Sequence, residues 1–146
     1  MIGTRQFRVS ATVAALFLSL GVFAEPPRSD HPILGAWNLT PPSSPYSSCV
    51  ERGIFGADGR YRSTSGQEIS VSEYTISSEP SEKGFYKYVD VVLETNGLPD
   101  CSGNVMPVGD VATNYLRFGD GYNEFLMCRE ENVRSCFVVA RRAPTS

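Results

Sequence analysis

The sequence predicts an all-β protein: a small antiparallel up-and-down β-barrel of about eight strands, held by two disulfides. Three observations predict it. Short runs of strand-forming residues recur along the chain, and no segment sustains a 3.6-residue period. Turn signals rich in Gly, Asn and Asp separate those runs at hairpin distance. Four cysteines, an even count, follow a secretory leader. Sequential hairpins favour a closed barrel because closure removes exposed sheet edges.

Residues 1–24 read as a signal peptide. Arg5 and Arg8 supply a positive start, Ala11 to Phe23 is almost wholly apolar, and Val22 and Ala24 precede Glu25 as cleavage-site residues. The apolar run falls short of the roughly 20 residues that a membrane-crossing helix needs. Residues 25–146 are then one domain, expected in the periplasm or among secreted proteins. Loss of Arg5 and Arg8 leaves 11 basic against 16 acidic residues. That balance gives no reason to seek nucleic acid or an anionic membrane.

The elements follow in order. Residues 25–32 are a Pro-rich lead-in, with a short turn expected at Pro32 to Leu34. Ile33 to Leu39 is the first strand. Residues 40–48 hold three prolines and four serines and form a loop. Cys49 to Phe55 and Arg60 to Thr64 flank the turn signal Gly56-Ala57-Asp58-Gly59. Glu68 to Ser77 carries Ile69, Val71, Tyr74 and Ile76, whose two-residue step breaks once and suggests a bulge. Phe85 to Thr95 is the clearest strand: Phe85, Val89, Val91 and Leu93 are assigned to its apolar face, and Tyr86, Tyr88, Asp90, Val92 and Glu94 to its wetter face. Residues 96–112 are a long connection, pinned by Cys101. Thr113 to Phe118 and Asn123 to Arg129 flank Gly119 to Tyr122. Ser135 to Arg141 is the last strand. Ile54, Phe85, Val91, Leu116, Phe125 and Phe137 are the expected inward side chains.

Two disulfides are expected among Cys49, Cys101, Cys128 and Cys136. The preferred pairing is Cys128–Cys136, across a hairpin turning near Asn132, and therefore Cys49–Cys101. The second closes a long loop, worth about 3–4 kcal/mol in the chain-entropy model. A zinc site is not expected, because CxxC spacing is missing and the sole His lies far off in sequence.

Gly35-Ala36-Trp37 at the first strand, with Arg141 and Arg142 at the last, resembles the lipocalin and calycin pattern. In that family an Arg from near the final strand packs over the Trp and closes one end of the barrel. The resemblance implies structural roles for Trp37 and Arg141. Other lipocalin signatures, such as a T-D-Y motif, are missing, and the shorter chain implies a smaller cavity. In size and export the chain is also similar to small bacterial periplasmic barrels that inhibit proteases or lysozyme.

No catalytic residue, cofactor or metal is expected. His31 reads as a surface residue of the lead-in, without a nucleophile partner. Glu51, Glu68, Glu73, Asp90 and Glu94 read as solvated strand faces, although two facing carboxylates could do acid–base work. Asn96, Asp100 and Asp110 match no calcium loop, and Asn96 and Asp100 read as turn residues. Tyr86, Tyr88, Tyr115 and Tyr122 are the candidate binding surface, since Tyr buries large area at low entropy cost. Asn38-Leu39-Thr40 is a glycosylation acceptor only in a host that glycosylates. The expected function is therefore that of an exported, non-catalytic protein that binds another exported protein, as an inhibitor or immunity factor does. The alternative is a carrier of a small apolar ligand.

Overall fold

Eight strands pair in chain order and the last returns to the first. A computed structural model describes residues 27–42, 49 and 51–144. The strands are β1 (Gly35–Thr40), β2 (Glu51–Phe55), β3 (Arg60–Ser65), β4 (Glu68–Ile76), β5 (Tyr86–Thr95), β6 (Val111–Phe118), β7 (Glu124–Cys128) and β8 (Cys136–Arg142). They form a closed, wholly antiparallel barrel. The disulfides are Cys49–Cys101 and Cys128–Cys136. The expected signal, residues 1–24, lies outside the described residues. Among the described residues no helix is long and apolar enough to cross a membrane.

Alternation decides which side chains enter the barrel, and one end of the interior is aromatic. Trp37 of β1 is fully buried, 4.7 Å from the ring of Phe125 on β7. Phe55, Tyr74, Tyr88 and Leu116 pack in the same cluster. The turn at residues 32–34 delivers Ile33 beneath them, and the Trp37 indole N–H donates to the Ile33 carbonyl at 2.7 Å. Arg142 lies over the indole, its guanidinium carbon 3.9 Å from the ring centroid. The same guanidinium donates to the carbonyls of Leu34 and Pro32. This end is shut by stacking and by hydrogen bonds that satisfy the entering chain.

The residue over Trp37 is thus Arg142 and not Arg141. Register explains it: Trp37 stands opposite Arg142, and Ala140 and Arg142 point inward. Arg141 points outward and pairs with Glu124 at 2.9 Å.

Two of the expected inward residues, Leu116 and Phe125, are fully buried, and Phe137 packs against the core. Ile54 instead faces out and is 51% exposed. Phe85 is buried outside the core cluster, under the Arg117 guanidinium. Val91 pairs with Val111 on the outer face. The β4–β5 register does shift, between Val71 and Ser72, but the extra residue is on β5, where Val92 to Glu94 spans the step. β4 itself alternates regularly, with Glu68, Ser70, Ser72 and Tyr74 buried and Ile69 exposed.

The two arginines give a paired test by urea denaturation. Arg142→Ala removes two charged hydrogen bonds and the indole stack, and should destabilise by about 2–4 kcal/mol. Arg141→Ala removes one exposed ion pair and should cost less than about 1 kcal/mol.

Candidate functional site: an acidic cavity at the open end of the barrel

The end of the barrel away from Trp37 is not filled. A cavity of about 350 Å³ opens there, walled by all eight strands and by the long loop. The reason is in the side chains. Where the closed end has large rings, β3 offers Ser63 and Ser65, β4 offers Glu68, and β6 offers Ala112 and Asn114. Short residues leave the volume empty. Tyr61, Tyr88, Met127 and Phe137 form its apolar floor and walls.

The long loop makes the rim. Cys49–Cys101 ties it to the segment before β2, and the Cys101 N–H donates to the Ser65 hydroxyl at 3.2 Å. The Gln67 N–H donates to the Pro99 carbonyl at 3.2 Å. Gly66, at the β3–β4 turn, has φ 62°, and a Cβ there would come within 3.1 Å of the Asp100 backbone. Only glycine suits both that conformation and that approach. Asn96 and Asp100 are turn residues as expected. Asn96 accepts the N–H groups of Ile69 and Leu98, and Asp100 those of Ser102 and Asn104.

Three carboxylates expected in solvent face this cavity instead: Glu51, Glu68 and Asp90. Alternation puts Glu51 on the same side of β2 as Phe55, and Asp90 on the same side of β5 as Tyr88. Glu73 and Glu94 do face outward, and Glu73 pairs with Arg60 at 3.5 Å. Burial pushes the Glu51 carboxyl up to about 7; the like charges of Asp100 and Glu68 add to this, and a Ser65 hydrogen bond opposes it. Asp90 rises to about 6, chiefly through burial, with Ser72 opposing and Asp110 adding. Glu68 is also raised by burial, against a hydrogen bond from the Met106 backbone. It is only 2% exposed, and its Oε1 has no hydrogen-bond partner among the described residues.

The four tyrosines do not form one surface. Tyr86 and Tyr88 point into the barrel and are buried, Tyr115 is half-buried on the outer side, and Tyr122 is exposed at the β6–β7 turn. A binding face made of Tyr86 and Tyr88 is therefore ruled out by alternation from Leu116 and its partner Tyr86. His31 is likewise buried rather than on the surface. Its Nδ1 accepts the Ile33 N–H at 3.1 Å, leaving Nε2 to donate to the Ser77 carbonyl at 3.2 Å. Tyr86 meets the imidazole edge-on, and burial lowers its pKa. It helps anchor the lead-in at the closed end.

The chain matches no family model, no curated protein and no solved structure.

The acids predict a pH signature in stability. Glu51 binds its proton more tightly when folded than at its ordinary 4.5. Its contribution to stability is full below about pH 4.5 and is lost as pH rises through about 7. His31, lowered by burial, works the other way and loses stability as pH falls below 6.5. Thermal melts of Glu51→Gln against the parent should show the variant gaining relative stability steadily from pH 4.5 to pH 7. Parallel curves would contradict the burial of this carboxyl.

Proposed function

We propose that this protein binds a small molecule in the open end of its barrel, as an exported lipocalin-like carrier or sequestering protein. The cavity of about 350 Å³ carries the proposal. Its size is in the range of small-ligand sites, and such sites commonly occupy barrel mouths. The closed end supports the lipocalin-like comparison: Gly35, Trp37 and Arg142 combine at β1 and β8 as the G-x-W resemblance implies. A purely apolar ligand fits less well than an amphipathic one, because the floor is aromatic while the upper wall is acidic.

The protein-binding alternative loses Tyr86 and Tyr88 as its surface. One observation still favours it: Leu98, Val105, Val108 and Val111, in and beside the long loop, are 45%, 53%, 62% and 59% exposed.

Native mass spectrometry of the gently purified protein tests both. The expected spectrum shows an added mass of roughly 100–300 daltons that fits such a volume. Ala112→Trp, which fills the mouth, should remove it. A bare parent chain would contradict the small-molecule proposal. A second protein that is lost on Val105→Ser would replace it with the loop alternative.

A further inference from the structure

We propose that the ligand is a small organic cation, a protonated amine on an apolar body. This rests on the small-molecule proposal and adds the charge of the ligand to it.

The charge inventory of the cavity is one-sided. Glu51 comes from β2, Glu68 from β4, Asp90 from β5 and Asp100 from the loop, and among the described residues no Lys, Arg or His lines the cavity. Every ion pair among the described residues uses other acids, all outside the cavity. Hydroxyls and backbone N–H groups only partly satisfy these carboxylates. Ser65 reaches Glu51 at 3.4 Å, a long hydrogen bond. Glu68 is almost completely buried, and its Oε1 has no partner among the described residues.

A buried acid without a partner either keeps its proton or recruits a positive charge. An anion in this cavity would add to the repulsion. A neutral ligand would leave the repulsion in place. A metal ion needs several ligands converging on one point, and no group of three or more His, Cys, Asp or Glu among the described residues does so. The acids are instead spread round a volume far larger than a bare ion needs. An ammonium has three donors to share among separated acceptors. The rings of Tyr61 and Tyr88 can face its apolar body and, at close range, its charge.

The raised acids support the same conclusion. A bound cation lowers the affinity of Glu51 and Asp90 for protons, so binding near pH 6 to 7 releases protons. Asp100 and Glu68 beside Glu51, and Asp110 beside Asp90, are the other acids that shape this response.

Three probes of matched shape test the charge by calorimetry: 2-phenylethylamine, 2-phenylethanol and phenylacetate. At neutral pH the amine should bind at least about tenfold more tightly than the alcohol, and phenylacetate should not bind. Proton release, read from buffers of different ionisation heat, should accompany the amine alone. Glu51→Gln and Glu68→Gln should each weaken the amine several-fold and change the alcohol much less, with folding checked by circular dichroism. Equal binding of amine and alcohol overturns the cationic ligand and leaves small-molecule binding intact. Failure of all three probes on the folded protein overturns both.

Discussion

Closure of the β1–β8 seam is the constraint on which the rest depends. Once Leu39 stands opposite Ala140 and Trp37 opposite Arg142, the eight strands have one inside and one outside. Every second side chain must enter a space of fixed radius, whatever its polarity. Strand register therefore determines the interior, and hydrophobicity does so only where the chain has also placed large apolar residues at those positions.

The interior divides along the barrel axis. Towards Trp37 the inward positions carry rings, and Phe55, Phe125, Tyr74 and Tyr88 meet mostly edge to face. Such contacts bury large area and give the domain its core. Towards the long loop the inward positions carry Ser and acids, and Ser63 and Ser70 hydrogen-bond each other at 2.8 Å. The first half holds the barrel together. The second half costs stability when its carboxylates ionise, which is consistent with the binding site proposed for it. The Cys49–Cys101 disulfide and the Gly66 contact hold the rim of that costly half in place.

This division also explains what the sequence made legible. The eight strands and their order follow from turn signals, the cystine pairing preferred among the three possible is the one formed, and the buried Trp37 is the one that the lipocalin resemblance implies. The facing of β5 did not. Tyr86 and Tyr88 look amphipathic beside Val89 and Val91, so hydropathy assigns the valines inward. In the barrel the valines are outside, half-covered by neighbouring strands, and the tyrosines are in the core. The apparent break in β4 has the same cause. Its inward row passes from Glu68, Ser70 and Ser72 to Tyr74, a change of polarity along one face, and the register shift at Val71/Ser72 takes its extra residue from β5. The acids Glu51, Glu68 and Asp90 were hidden for this reason as well, since charged residues on strands ordinarily face water. A usable signal was present: Phe55 fixes the inward side of β2, and stepping back by twos reaches Glu51.

The open end of the barrel removes acids from water without supplying them, among the described residues, a charge partner. Carbon-13 NMR titration of the carboxyl groups in the ligand-free protein tests it most directly. Glu51 should titrate with an apparent midpoint of about 7 and Asp90 with one of about 6. Midpoints for both near the ordinary value of about 4 would contradict it, because they would show carboxylates already at ease in water.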